Sequence, residues 1–120
     1  MNRKVIGTWG EEQAADYLRG KGYRILETGY RSRFGEIDLI AADGAYLAFV
    51  EVKTRKDKRF SQAREAIDRR KIVRIRQTAA LWLSRQEIIL QPRFDVIEIY
   101  APQGEKTPKP EIYHLEDAFQ

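Results

Sequence analysis

The spacing of apolar residues along the chain predicts two long helices. In the first helix the apolar positions recur at helical intervals, at Ala14, Ala15 and Leu18. Thr8 and Glu11 have the spacing of a capping box and Lys21-Gly22 ends the pattern, so a helix is predicted from Thr8 to Gly20. Glu11 falls on the apolar side of this helix, which is unusual for a charged residue.

The second predicted helix follows Asp68, a favourable N-cap residue, and ends near Ser84. Its apolar stripe consists of Ile72, Ile75, Ala79, Trp82 and Leu83. We expect Trp82 to belong to the hydrophobic core together with Phe49, and neither residue to form a base-stacking surface.

Short apolar runs elsewhere in the chain predict strands. They lie at Tyr23–Glu27, Gly35–Ala41, Tyr46–Lys53 and Arg93–Tyr100, with a short edge strand at Ile112–Leu115. Asp43-Gly44 predicts a tight turn between the second and third strands. The remaining polar stretches are predicted to be loops: Thr28–Phe34, Thr54–Ser61 and Pro102–Pro110. The order α-β-β-β-α-β is typical of an α/β fold, here in one domain covering residues 1–120.

Polar residues interrupt the apolar second and third strands at regular positions. Side chains alternate along a strand, so Glu36 and Asp38 share one face, as do Glu51 and Lys53. A turn centred on Asp43-Gly44 would pair residue 38 with 49 and residue 36 with 51, which places all four side chains on the same face. Asp38 and Glu51 would then be diagonal neighbours whose carboxylates can converge.

Two converging carboxylates beside a lysine suit metal-assisted phosphodiester chemistry. Mg²⁺ is commonly held by one or two carboxylates, with water and substrate phosphate completing its oxygen ligands. We expect Asp38 and Glu51 to bind the metal and Lys53 to orient the attacking water or stabilise the transition state. Glu11 is a candidate third acid, and Glu36 is expected to have a structural or supporting role.

A solvent-facing ladder of weak ion pairs is the alternative explanation of these charges. The flanking segments argue against it, because Leu39–Ala41 and Leu47–Val50 are apolar. Strands with such flanks are expected to be central in a sheet, where an unpaired charge is costly.

The order of these residues also resembles that of a known family. The segments that carry the likeness are Gly10-Glu11, Gly35-Glu36-Ile37-Asp38-Leu39-Ile40, Phe49-Val50-Glu51-Val52-Lys53 and Arg93-Phe94-Asp95-Val96. They resemble the YraN-like family of small bacterial proteins, which is similar to archaeal Holliday-junction resolvases and to the restriction-endonuclease-like superfamily. The resemblance implies a central mixed sheet flanked by helices, and Mg²⁺ or Mn²⁺ as the metal. It implies active-site residues at Glu11, Asp38, Glu51 and Lys53.

Composition narrows the remaining possibilities. The chain has no cysteine and one histidine, His114, which excludes thiolate sites and metal sites built on two imidazoles. No role is assigned to His114. The sequence shows neither a signal peptide nor an apolar stretch of roughly 20 residues, so a cytoplasmic protein without a membrane partner is expected. The formal net charge of +4 favours a polyanionic partner.

Basic residues lie near the proposed site in the sequence. Those expected to contact nucleic-acid phosphates are Arg31, Arg33, Arg55, Lys56, Arg70, Lys71 and Arg74, and Lys58 and Arg59 extend the loop cluster. The basic residues of the second helix have an ordinary alternative role as a solvated face. No group indicates base-specific contacts. Asp95 is expected to form an ion pair with a helix arginine and not to bind a metal.

These observations support two hypotheses about function. The leading one is a metal-dependent endonuclease that hydrolyses DNA in preference to RNA, including branched DNA of the kind resolvases cut. The other is a non-catalytic module that binds nucleic acid or protein and keeps the nuclease-like fold. A homodimer is a further hypothesis, because one domain of this size offers little surface for a long duplex.

Overall fold

A computed structural model describes residues 3–57 and 68–119 of the chain. Its elements are α1 (Arg3–Gly20), β1 (Arg24–Ser32), β2 (Gly35–Ala42), β3 (Tyr46–Arg55), α2 (Arg69–Leu83), β4 (Gln91–Tyr100) and β5 (Glu111–Leu115), with a 3₁₀ turn at Gly104–Lys106. The predicted α/β class and the α-β-β-β-α-β core are confirmed. The predicted loop at residues 54–61 continues beyond the described residues, and Lys58 and Arg59 lie outside them.

The strands form one five-stranded mixed sheet in the order β1-β2-β3-β4-β5. Neighbouring strands are antiparallel except β3 and β4, which are parallel and are connected through α2. α1 packs on one face of the sheet, where Leu18 joins Leu39, Val50 and Ile97 in a buried cluster. α2 packs on the other face, where Trp82 contacts Phe49 edge to face and both are buried. This confirms the core role predicted for Trp82 and Phe49.

A glycine sets the distance between α1 and the sheet. A Cβ atom on Gly10 would lie 2.2 Å from the Oγ1 atom of Thr54 on β3, closer than any side-chain carbon can approach. Because this position has no side chain, the helix rests directly on β3, and Glu11 is held close to the central strands.

Two element boundaries differ from the sequence prediction. α1 begins at Arg3, so Thr8 lies inside the helix and is not its N-cap. The residues before Thr8 include no proline, and Trp9 packs on the core and holds the first turns in place. β1 extends to Ser32, because it pairs with β2 as far as Ser32–Gly35 and so converts most of the predicted basic loop into strand.

The other boundaries follow the prediction closely. Asp68 is the N-cap of α2 and accepts a hydrogen bond from the Lys71 N–H at 2.9 Å, and Ser84 is the C-cap. β5 is an edge strand paired with β4, as expected. None of the described helices is both long and apolar enough to cross a bilayer.

Candidate active site

The β2–β3 hairpin is shifted by two residues from the predicted register. Its pairs run from Ala42–Leu47 to Leu39–Val50. The cause is Asp43, whose Oδ1 atom accepts hydrogen bonds from the Ala45 and Tyr46 N–H groups at 2.8 and 2.7 Å and so lengthens the turn. A shift by an even number keeps every side chain on its predicted face. One further step in this register would place Asp38 directly opposite Glu51, where the sequence predicted a diagonal arrangement.

The hairpin strands separate at the position of Asp38 and Glu51. Their pairing stops at Leu39–Val50, while β2 continues beside β1 and β3 continues beside β4 to Arg55–Tyr100. The Asp38 side chain bridges the gap, since its Oδ2 atom accepts a hydrogen bond from the Val52 N–H at 2.8 Å. The split between two central strands therefore places two carboxylates inside the sheet.

The charged groups at this split form the Asp38 cluster, which consists of Asp38, Glu51, Lys53 and Lys71, with Glu11 and Glu36 nearby. Glu51 is the most enclosed of them. Its side chain is 8% exposed, and its Oε1 atom lies 2.6 Å from Lys71 Nζ and 3.5 Å from Lys53 Nζ. Lys53 comes from β3 itself, and Lys71 comes from the first turn of α2. Two lysines thus share one carboxylate oxygen. The structure brings Lys53 to Glu51 as predicted, and it gives Lys71 a direct carboxylate contact that the sequence did not indicate.

The acidic groups of the cluster have perturbed pKa values. Burial raises the pKa of Asp38 to about 7, and the negative charge of Glu51 adds to the effect, while the Val52 hydrogen bond opposes it. Burial also raises the pKa of Glu11, with further contributions from Glu36 and Glu51. Glu11 is therefore close enough to act electrostatically on the strand carboxylates, as its inward position on the helix predicted. The cluster favours added positive charge.

The two lysines are perturbed in opposite directions. Burial and the neighbouring Lys71 lower the pKa of Lys53, although Glu51 opposes the shift. For Lys71, burial acts to lower the pKa, but the hydrogen bond and charge of Glu51 outweigh it and raise the pKa. Lys71 is thus the ammonium group that Glu51 stabilises more strongly.

A cleft of about 460 Å³ opens beside the carboxylates. Its lining residues are Gly35, Glu36, Asp38, Glu51, Asp68, Arg70, Lys71, Arg74 and Ile75. Three of the residues predicted to contact phosphate, Arg70, Lys71 and Arg74, therefore lie in the cleft. A phosphodiester that entered it would meet carboxylates on the sheet side and basic groups on the α2 side.

The other residues predicted to contact phosphate lie outside the cleft lining. Arg31 is 3.5 Å from Glu36, and the Arg33 guanidinium stacks on the Phe34 ring at 4.8 Å. Arg55 belongs to the end of β3 and is half-buried, and its Nε has no hydrogen-bond partner among the described residues. Lys56 follows it and is exposed.

Glu98 is a second buried acid beside the site and was not among the predicted site residues. Glu98 pairs with Lys53 across the parallel β3–β4 ladder, so its side chain is on the same face of the sheet as Lys53. It is 6% exposed and accepts a hydrogen bond from the Tyr100 hydroxyl. Its position between Ile97 and Ile99 is the same kind of signal that drew attention to Glu51 and could have identified it.

Asp95 forms a separate cluster of charges, and its predicted partner was wrong. It pairs with Arg93, a neighbour on its own strand, through two hydrogen bonds of 2.8 Å, and not with a helix arginine. Both residues lie on β4, so this ion pair forms without a contact between separate elements. His114, to which the sequence analysis gave no role, also bonds Asp95 at 2.7 Å, and the Asp117 N–H does so at 3.0 Å. Burial alone would raise the pKa of Asp95, but these hydrogen bonds together hold it below its usual value.

The Asp38 cluster offers carboxylate oxygens, which are the ligand atoms that a divalent cation such as Mg²⁺ prefers. Within residues 3–57 and 68–119, no three His, Asp or Glu side chains already surround one point as a complete metal site. Mg²⁺ does not require one, because it commonly takes one or two carboxylates and keeps several waters. Asp38 and Glu51 supply two such carboxylates, and burial together with the charge of Glu51 raises the pKa of Asp38.

Comparison with known proteins identifies the family. Residues 10–99 match the sequence profile of the uncharacterised protein family UPF0102. A UPF0102 protein of Syntrophomonas wolfei is 43% identical over 120 residues, covering 99% of this chain and 100% of that one. A UPF0102 protein of Caldanaerobacter subterraneus is 41% identical over 120 residues, covering 99% and 98%, and one of Rhodococcus opacus is 44% identical over 116 residues, covering 96% of each. The YraN-like resemblance is thereby confirmed, and the chain belongs to the uncharacterised protein family UPF0102.

Proposed function

We propose that this protein is a metal-dependent nuclease that hydrolyses nucleic-acid phosphodiesters, with DNA as the preferred substrate. The observation that carries the proposal is the meeting of Asp38 and Glu51 at the split between β2 and β3. Two carboxylates in a mostly buried place, one with its pKa raised to about 7, favour a bound cation.

The residues would divide the work as follows. Asp38 and Glu51 would hold Mg²⁺ or Mn²⁺, and the Val52 N–H would fix the orientation of the Asp38 carboxylate. When bound, the metal supplies an activated water and stabilises charge on the scissile phosphate. Lys53, beside Glu51, would orient the water or stabilise the negative charge of the transition state. Glu11 would add negative charge behind the pair and strengthen cation binding.

The basic side of the cleft supports a polyanionic substrate. Arg70 and Arg74 come from α2, one turn apart, and both line the cleft opposite the carboxylates. Such groups bind the phosphate backbone through charge and do not read bases. This arrangement favours recognition by backbone geometry, which is the mode by which branched or single-stranded DNA is distinguished from duplex.

A non-catalytic binding module is the second candidate, and one observation favours it. Lys71 lies 2.6 Å from Glu51 and already neutralises the carboxylate that the metal would use. A site of this kind can be maintained as an internal ion pair, with the neighbouring arginines binding nucleic acid without cleavage. The nuclease would cleave nucleic acid when divalent metal is present, whereas the binding module would bind nucleic acid without cleaving it.

Cleavage of labelled DNA separates the two candidates. Single-stranded, duplex, flap and four-way-junction DNA, with matched RNA strands, are incubated with Mg²⁺ or Mn²⁺ and the wild-type protein, Glu51→Gln or Glu116→Gln. We expect metal-dependent cleavage by the wild type and by Glu116→Gln, whose acid is half-exposed and distant from the cleft, and a loss of about 100-fold or more in Glu51→Gln. Binding of DNA without cleavage by all three proteins would reject the nuclease and favour the binding module. Equal cleavage by Glu51→Gln would reject the assignment of Glu51 to the cleavage site.

A further inference from the structure

Lys71 stands where Glu51 would receive a cation. Its Nζ atom is 2.6 Å from Glu51 Oε1, much closer than the 3.5 Å of Lys53 to the same oxygen. The Glu51 side chain is 8% exposed, so few directions remain from which another positive group can reach it. The closest approach to this carboxylate is therefore taken by a residue of α2.

A divalent cation bound by Asp38 and Glu51 would lie beside two ammonium groups. Lys53 and Lys71 are 3.5 and 2.6 Å from Glu51 Oε1, so the cation and the ammonium groups would share one carboxylate. Like charges at such separations repel strongly in a partly buried setting. The cation and the nearer ammonium group would therefore compete for Glu51 Oε1.

Lys71 is the lysine that can leave. Its side chain is 37% exposed, against 20% for Lys53, and it lines the cleft together with Arg70 and Arg74. Its backbone is fixed by the hydrogen bond to Asp68, so only the flexible side chain has to turn. A side chain that turns outward from Glu51 enters the space that a substrate phosphate would occupy.

We propose that Lys71 is an exchangeable counter-ion of the active site, which neutralises Glu51 in the free protein and transfers to the substrate phosphate when a divalent cation binds. This inference rests on the proposed metal-binding role of Asp38 and Glu51. Metal and phosphodiester then bind cooperatively, because each removes an obstacle to the other: the cation displaces Lys71, and the phosphate gives the displaced ammonium a partner. Such coupling is reciprocal between the two ligands. It also makes metal binding, and hence hydrolysis, more favourable in the substrate complex than in the free protein.

Mn²⁺ binding measured by electron paramagnetic resonance, without nucleic acid, tests the proposal. The proteins are the wild type, Lys71→Met, Lys71→Arg and Arg76→Met, the last being a charge-matched control on an exposed residue of α2 outside the cleft lining. We expect Lys71→Met to bind Mn²⁺ about tenfold more tightly than the wild type, the size expected from removing one charged hydrogen bond that competes for the ligand. Lys71→Arg and Arg76→Met should bind with wild-type affinity, and thermal melts check that all four proteins are folded.

A second readout follows the ammonium group itself. In nitrogen-15 spectra of lysine side chains, Mg²⁺ should remove the signal of the Lys71–Glu51 pair in the wild type, and an added single-stranded oligonucleotide should lower the Mg²⁺ concentration at which this happens. Unchanged or weaker Mn²⁺ affinity in Lys71→Met, with binding by the wild type, would overturn the counter-ion role and leave the nuclease proposal standing. Absence of Mn²⁺ binding in all four proteins, Lys71→Met included, would overturn both.

Discussion

Two groups of buried charge lie on the same sheet and are balanced in opposite ways. Around Asp95, every strong interaction is between opposite charges or with a hydrogen-bond donor: Arg93, His114 and the Asp117 N–H all point at one carboxylate, whose pKa is held low. Around Asp38, carboxylates face each other, and the pKa of Asp38 is raised to about 7. Asp95 is thus surrounded by opposite charge and donors, whereas Asp38 faces like charge and accepts from the Val52 N–H.

On the proposed function, the difference separates a structural ion pair from a functional site. A buried carboxylate with a full set of donors fixes neighbouring segments, here β4, β5 and the residues after β5, and has no capacity left for a ligand. A buried pair of like charges costs stability and persists where an external charge completes it. On the proposed function, the same sheet contains a charge group for folding and one for binding, and three substitutions can test the contrast.

The largest effect is expected from Asp95→Asn. It removes the buried counter-charge of the Arg93 guanidinium, which is 9% exposed in its side chain, and leaves it only the half-exposed Glu116 at 3.7 Å. This should lower the free energy of unfolding by about 3–5 kcal/mol. Urea denaturation followed by circular dichroism measures the loss. Glu116→Gln, which removes a half-exposed acid 3.7 Å from the same arginine, should cost less than about 1 kcal/mol. A similar small loss for Asp95→Asn would mean that the Asp95 group does not stabilise the fold.

Asp38→Asn should change the free energy of unfolding in the opposite direction and raise it. The folded-state pKa of Asp38, about 7, is above its ordinary value of 3.8, so the folded protein binds the proton more tightly than the unfolded chain. Stability from this group therefore falls as pH rises from about 4 to about 7, and its full cost is present above pH 7. The amide removes the charge and can still accept from the Val52 N–H.

We expect Asp38→Asn to raise the free energy of unfolding by about 1–3 kcal/mol at pH 8 and to leave it nearly unchanged at pH 4. Urea unfolding of both proteins at a series of pH values without divalent metal measures the difference. A variant that is less stable than the wild type at pH 8, with the same pH slope, would show that Asp38 is satisfied within the protein, as Asp95 is.

The smallest effect is expected from Glu11→Gln. Removing this charge should lower the pKa of Asp38, because Glu11 contributes to the like-charge repulsion that raises it. Carbon-13 NMR titration of the Asp38 carboxyl carbon measures the pKa directly. Glu12→Gln is the matched control, since this neighbouring acid is exposed on the same helix. An unchanged Asp38 pKa in Glu11→Gln would remove Glu11 from the site.

Local sequence patterns predicted most of the fold. The errors lie where contacts between distant residues or a side chain in a turn set the end of an element or the register of a hairpin. The periodicity of α2 and its Asp68 cap identified that helix correctly. The start of α1 and the end of β1 were missed, since Trp9 and the pairing with β2 extend these elements beyond their local signals. The hairpin register was missed because the Asp43 side chain captures two N–H groups and lengthens the turn.

The site was predictable where it depends on one hairpin and less so where it joins distant elements. Asp38, Glu51 and Lys53 share a face by strand alternation alone, which survives a two-residue shift of register. The contact of Lys71 with Glu51 depends on how α2 lies over the sheet, and no spacing in the sequence encodes it. The same is true of Asp95, whose bonds to His114 and the Asp117 N–H come from the segment at and after β5.

Calorimetric titration with Mn²⁺ tests the central claim most directly. The proteins are the wild type, the double variant Asp38→Asn/Glu51→Gln and Glu116→Gln, each titrated in the presence of a single-stranded phosphorothioate oligonucleotide that resists cleavage. The account predicts one saturable Mn²⁺ site in the wild type and in Glu116→Gln, and its loss in the double variant. Equal Mn²⁺ binding by the double variant, or no saturable site in the wild type, would contradict the assignment of Asp38 and Glu51 as the metal-binding pair.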